Sequence, residues 1–212
     1  MELHYVSRET YRKKHDIHYQ QSLKQQFGNV YIVPEGGSNL LALKGCKEIV
    51  EEIKLEIPSA FDVICCASGT GATLAGLVSA INAEASNKKQ HAIGFSALKG
   101  GDFLQQEVKS FLQQENTNSD RAETDLQTDN WHIESRYHFA GYAKINHELM
   151  QFMRDFQLQY GFELDAVYTA KMFYGLFELI KSGSFQNGST IVAVHSGGLQ
   201  GNKGFNLQAL IK

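Results

Sequence analysis

The run from Phe61 to Leu77, FDVICCASGTGATLAGL, limits the fold more than any other part of the chain. Phe61 to Ala67 is short and dense in apolar residues, as expected of a parallel strand covered on both faces. Gly69 and Gly71 follow at once, and from Thr73 to Ala83 the apolar spacing is helical. A buried strand that turns directly into a helix is a building unit of an α/β sheet.

The rest of the chain fits that class. Short strand-like runs at Leu3 to Ser7, Val30 to Val33 (stopped by Pro34), His91 to Leu98 and Thr190 to His195 alternate with helical patterns. The helices are expected at His15 to Gln26, from an N-cap at Ser38 through Leu43, Cys46, Val50 and Ile53, around Leu104 to Leu112, from Ile145 to Phe156, and from Ala170 to Lys181. Asn116 to Asn130 is polar and reads as a surface loop. The expected architecture is α/β, a mainly parallel sheet with helices on both faces.

Charge and composition narrow the partners. A net charge of −3 and a pI near 6.2 give no basic stripe for nucleic acid or anionic lipid, so a small molecule is the expected partner. No apolar run reaches the roughly 18 residues that span a bilayer. Met1 to Asp16 lacks the apolar core of a signal peptide, and the expected compartment is the cytoplasm. Cys46, Cys65 and Cys66 suggest buried thiols rather than a disulfide framework, because neighbours on a strand point to opposite faces.

A glycine turn between strand and helix collects backbone N–H groups at the positive end of the helix, where an anion, most often phosphate, is the natural ligand. Thr70 and Thr73 add hydroxyls. The same spacing also serves a tight turn that binds nothing. A Walker loop fails because Gly71 is followed by Ala72-Thr73 rather than Lys-Ser/Thr; a dinucleotide fingerprint fails because Leu74 stands where its third glycine belongs and the strand ending Ser96-Ala97-Leu98 carries no carboxylate. A cofactor with a single phosphate remains.

Five segments in order, VPEGGSNLLALKG (Val33 to Gly45), ASGTGATLAGL (Ala67 to Leu77), FAGYAK (Phe139 to Lys144), LDAVYTAKMFYGL (Leu164 to Leu176) and VHSGGLQG (Val194 to Gly201), give the chain its resemblance to a known family. It resembles the pyridoxal-phosphate enzymes of the 1-aminocyclopropane-1-carboxylate deaminase and D-cysteine desulfhydrase type, within the tryptophan-synthase-β-like superfamily, fold type II. The resemblance implies pyridoxal 5'-phosphate as cofactor, with Gly69, Thr70, Gly71, Ala72 and Thr73 around its phosphate. It implies that Tyr142 and Tyr168 face the substrate and act catalytically, and that Ser196, next to Gly197, lies beside the pyridine nitrogen. Thr169, which the resemblance also places among the cofactor-binding residues, matches a position where ring-opening deaminases carry Glu and desulfhydrases carry Thr, which favours elimination from a cysteine-like substrate. Family members are commonly homodimers, so a homodimer is the expectation by analogy.

The family's Schiff-base lysine lies in a Gly-Asn-Lys segment ahead of the first glycine segment, and here the only such triplet, Gly201-Asn202-Lys203, comes after the last strand. The chain is therefore expected to correspond to the C-terminal two-thirds of a family member, incomplete at the N-terminus. Residues 1–33 would be a remnant of the smaller domain and 34–212 the large cofactor domain. Lys171, Lys44 and Lys47 are not expected to replace the lysine, and the chain alone is expected to be inactive. The competing expectation is a non-catalytic module for a small anion, or a truncated product. His15 and His18 lack a third metal ligand, and His195 and Ser196, as strand neighbours, diverge too far for a nucleophile and base. No metal site is expected.

Overall fold

The computed structural model describes residues 2–57, 61–83, 90–117 and 129–205. They fall into two compact units, Met1–Ser38 and Asn39–Lys212.

The first unit carries α1 (Arg8–Arg12), capped by Ser7, and α2 (Ile17–Phe27), capped by Asp16, whose carboxylate accepts from the amides of His18 and Tyr19. The strands expected at Leu3 to Ser7 and Val30 to Val33 form no strand and have no ladder pairing. A short apolar run alone makes no strand: Leu3, Tyr5, Val6, Val30, Tyr31 and Val33 are all exposed, and a strand needs an edge to bond.

The second unit is a four-stranded parallel sheet in the order β3-β2-β1-β4, built from β1 (Val63–Ser68), β2 (His91–Ser96), β3 (Trp131–Glu134) and β4 (Ile191–Ala193). Alternate residues of β1, β2 and β4 feed two separate cores, and β3 feeds the first. Ile64, Cys66, Ala92 and Trp131 pack with Leu43 and Val50 of α3 (Leu40–Glu56), most of α4 (Ala72–Asn82), and Val108 and Leu112 of α5 (Asp102–Thr117). Val63, Cys65, Ile93 and Phe95 pack with Leu149 and Phe156 of α6 (His147–Tyr160) and with Met172, Phe173 and Leu176 of α7 (Thr169–Lys181). Helices thus cover both faces, as the apolar density of β1 requires, and Cys65 and Cys66 are buried free thiols in different cores.

Two readings change. The cap of α3 is Asn39, whose side-chain oxygen accepts from the Ala42 amide at 2.9 Å, rather than Ser38. The supposed loop to Asn130 is followed directly by β3, which pairs with β2; residues 118–128 of that loop lie outside the described residues.

The α3–α4 crossing is close enough to exclude a methyl group. A Cβ on Gly76 would fall 2.4 Å from Cys46 Cβ and 2.9 Å from the Leu43 carbonyl oxygen. Gly76→Ala should therefore lower stability by about 1–2 kcal/mol, overpacking outweighing the gain in helix propensity. Urea unfolding checks this as a lower midpoint at unchanged slope.

Candidate functional site

β1 ends at Ser68, where the sheet holds both sides of the strand: the Ala97 amide donates to the Ser68 carbonyl at 3.1 Å, and the Val194 amide to the Cys65 carbonyl at 2.9 Å. The chain then turns through Gly69, Thr70 and Gly71 into α4. Gly71 sits at the helix N-cap in the left-handed region, φ 87°, and provides no side-chain cap. Its carbonyl accepts from the Ala75 amide at 2.9 Å, so the amides of Ala72, Thr73 and Leu74 are the ones without an intrahelical acceptor, gathered before the positive end of α4. Thr73 lies against α3, where its side chain bonds the Cys46 thiol; burial pushes that thiol's pKa up, and the bond to Thr73 opposes the shift.

Tyr168 walls this turn. A Cβ built on Gly69 would lie 3.1 Å from Tyr168 Cε1 and 3.4 Å from its hydroxyl oxygen, so the glycine lets the phenol pack directly against the turn. Tyr142 meets Tyr168 edge to face, ring centroids 5.9 Å apart, and is itself 56% exposed. The structure thus brings Tyr142, Tyr168 and Gly69 together.

Tyr168 is held by a residue the sequence reading passed over. Buried Asp165 accepts from the amides of Val167 (3.0 Å), Tyr168 (2.8 Å) and Thr169 (2.8 Å) and from the Thr169 hydroxyl (2.7 Å), closing the entry to α7. The Thr169 hydroxyl also accepts from the Asp165 amide at 3.0 Å. Thr169, assigned to the cofactor by resemblance, is fully buried with its hydroxyl turned to Asp165. An acidic residue four positions before a helical threonine was the available sequence signal.

Beyond β4 the chain passes the same end of the sheet as the turn, because β1 and β4 run parallel. Ser196 is exposed there, and Gly197 and Gly198 follow with φ 86° and 89°. A Cβ on Gly198 would approach Asp165 Cγ to 3.3 Å, so this turn rests on the Asp165 cap. His195 accepts from the Gly197 amide at Nδ1 (3.1 Å), which leaves Nε2–H to donate to the Glu163 carbonyl (2.9 Å). Both ring nitrogens are thereby engaged in backbone contacts, and His195 does not pair with Ser196.

The lysines separate clearly. Lys44 and Lys203 are exposed, and Lys47 pairs with Glu115. Lys171 is buried, and its amine donates to the Gly141 carbonyl at 2.7 Å. His15 and His18 are exposed on the first unit, and no group of three metal-ligating side chains occurs among the described residues.

A second polar cluster lies elsewhere. A cavity of about 560 Å³ is lined by Asp62, His91, His132, Glu134, Arg136 and the loop around Ser184–Ser189, none of them from the glycine turn. His91 Nε2 and His132 Nδ1 are 2.7 Å apart and share one proton. Burial and the neighbouring His132 lower the pKa of His91; burial also lowers that of His132, with Glu134 opposing and Arg136 assisting. An unfolded histidine, near pH 6.5, takes its proton before this pair does, so stability should be level above about pH 7 and fall as pH drops below about 6. The urea midpoint should show that fall, and His132→Asn should flatten it.

The sequence pattern of the family described as pyridoxal-phosphate dependent enzymes matches residues 2–197. D-cysteine desulfhydrase of Klebsiella pneumoniae is 32% identical over 171 residues, covering 79% of this chain and 50% of that protein. The mitochondrial bifunctional D-cysteine desulfhydrase/1-aminocyclopropane-1-carboxylate deaminase of Arabidopsis thaliana is 30% identical over 196 residues, covering 85% of this chain and 44% of that protein. The crystal structure of an ACC deaminase homologue matches with a TM-score of 0.80 at 26% identity, over 99% of this chain and 62% of that one. The chain spans about half the length of the curated relatives it matches. With nearly all of its residues inside the family pattern and its parallel sheet and helices matching the solved homologue, the chain belongs to the pyridoxal-phosphate dependent enzymes, fold type II, among homologues that include 1-aminocyclopropane-1-carboxylate deaminases and D-cysteine desulfhydrases.

Proposed function

We propose that these 212 residues form the phosphate-anchoring half of a pyridoxal-phosphate dependent deaminase or desulfhydrase for a small amino acid. The observation that carries the reading is the glycine turn at the uncapped end of α4, with the Tyr168 phenol packed directly against Gly69. In this reading the amides of Ala72 to Leu74, which lack intrahelical acceptors, hold the phosphate ester, with Thr70 beside them in the turn. Tyr168 and Tyr142 supply the aromatic side, and Ser196 and Gly197 stand at the same end of the sheet. The cofactor itself supplies the electron sink for bond cleavage at the amino-acid α-carbon.

Residues 34–212 are the cofactor domain in this reading, and 1–33 belong to the smaller domain. Threonine at 169 favours D-cysteine-like elimination over ring opening. A homodimer in the cytoplasm is the assembly and compartment that fit this class of enzyme. No Gly-Asn-Lys precedes the first glycine segment, so these residues alone should bind the cofactor without turnover. Titration with pyridoxal 5'-phosphate tests this. Saturable binding relieved by inorganic phosphate supports the reading, and binding indifferent to phosphate defeats it. Borohydride reduction and peptide mapping should find no stoichiometrically labelled lysine.

A further inference from the structure

Lys171 is among the largest fully buried side chains of the chain, 1% exposed on α7, and nothing in the proposed chemistry uses it. A buried ammonium is costly unless its protons are bonded, and both of its acceptors are backbone carbonyls: Gly141 at 2.7 Å and, longer, Ala97 at 3.5 Å. Those carbonyls belong to two segments that touch each other. A Cβ on Gly141 would lie 3.4 Å from Lys99 Cβ and 3.5 Å from the Lys99 amide nitrogen.

The Gly141 segment is strained. Phe139, Ala140, Gly141 and Ala143 have φ of 49°, 67°, 117° and 53°, and three of them carry side chains. Such a run persists only where its surroundings fix it. The local bonds are the Gly141 amide to the His138 carbonyl (3.0 Å) and the Lys144 amide to the Gly141 carbonyl (3.1 Å), so the Gly141 oxygen accepts from both Lys144 and Lys171. Tyr142 sits inside this run with its ring against Tyr168. The Ala97 segment in turn bonds the last residue of β1, directly before the glycine turn.

We infer that Lys171 is a positioning residue, a buried strut that pins the strained Phe139–Lys144 loop to the end of β2 and thereby sets Tyr142 against Tyr168 beside the glycine turn. The role of the pinned loop in ligand binding rests on the proposed function; the pinning itself does not. Desolvation pulls the Lys171 amine down to about 8, against the pull of Asp165, so near neutral pH it is mainly charged and offers three donors. Met would fill the same core volume without them.

Amide hydrogen exchange on Lys171→Met tests the strut without any ligand. Protection of residues 139–144 should fall at least tenfold while β1 keeps its own, and adding Ala140→Gly should recover part of the loss by easing the left-handed backbone. Unchanged loop protection would overturn the inference. Should Lys171→Met not fold, the unaltered protein decides: a slowly exchanging Lys171 ammonium signal correlated with the Gly141 carbonyl is expected in NMR, and a freely exchanging amine rejects the strut. Pyridoxal 5'-phosphate titration then reads the second step. A loosened loop with about tenfold weaker binding supports the positioning of Tyr142; a loosened loop with unaltered binding refutes it. Absence of cofactor binding in the unaltered chain would instead defeat the proposed function and leave the exchange result standing.

Discussion

Asp165→Ala is expected to destabilise the chain by about 3–5 kcal/mol, because it strips four buried or half-buried donors of one shared acceptor. The amides of Val167, Tyr168 and Thr169 and the Thr169 hydroxyl converge on a single carboxylate, and no alanine can replace it. The loss extends beyond stability: Asp165 fixes the backbone at Tyr168, and the Gly198 turn rests on its carboxyl group. Tyr168 should therefore leave its place against Gly69, and pyridoxal 5'-phosphate binding should weaken together with stability. Asp165→Asn keeps the shape but presents an amide N–H to groups that are themselves donors, so about half that loss is expected. Thr169→Val removes one donor and one acceptor together and should cost about 1 kcal/mol. Urea unfolding orders the three variants, and a change in that order would show that the Asp165 cap is not what holds the entry to α7.

The stretch around the glycine turn was legible because its signals are local and dense. β1 is apolar on both faces, and two glycines mark the turn before the helix, so strand, turn and helix follow from neighbouring residues. β3 was not legible: four residues, Trp-His-Ile-Glu, two of them polar, emerge from a polar stretch, and only pairing with β2, some 40 residues earlier in chain order (Ala92 with Trp131), makes them a strand. The converse failure at Leu3 to Ser7 and Val30 to Val33 has the same origin. The apolar runs were present, but pairing is non-local and the structure gives these segments none. Within the site, the residue types that face the turn could be read, whereas Lys171 reads as an ordinary helical lysine until the fold brings Gly141 and Ala97 to it across 30 and 74 positions of sequence. Asp165 was hidden differently, as a loop residue whose importance lies in how many donors the start of α7 aims at it.

Gly71→Val and Gly69→Val should fail in different ways, and the difference tests how the turn works. At Gly71 the backbone itself forbids a side chain: φ is 87°, and a Cβ there would meet Val108 Cγ2 at 3.0 Å. A β-branched residue in that conformation costs about 2–3 kcal/mol in strain and overpacking, so the turn should rearrange and carry the amides of Ala72 to Leu74 away from a common point. Both stability and cofactor affinity should fall, the latter at least a hundredfold, or about 3 kcal/mol. Gly69 does not share the left-handed backbone, and its Cβ would meet the Tyr168 ring at 3.1 Å rather than a packed helix. That half-buried ring can give, so Gly69→Val should fold with little loss of stability and still bind pyridoxal 5'-phosphate poorly, because the displaced phenol no longer packs against the turn. Calorimetric titration set beside urea unfolding separates the two effects. Normal binding by Gly69→Val would mean that the phenol packed on the turn takes no part in holding the cofactor, and the anchoring would rest on the amides of Ala72 to Leu74 alone.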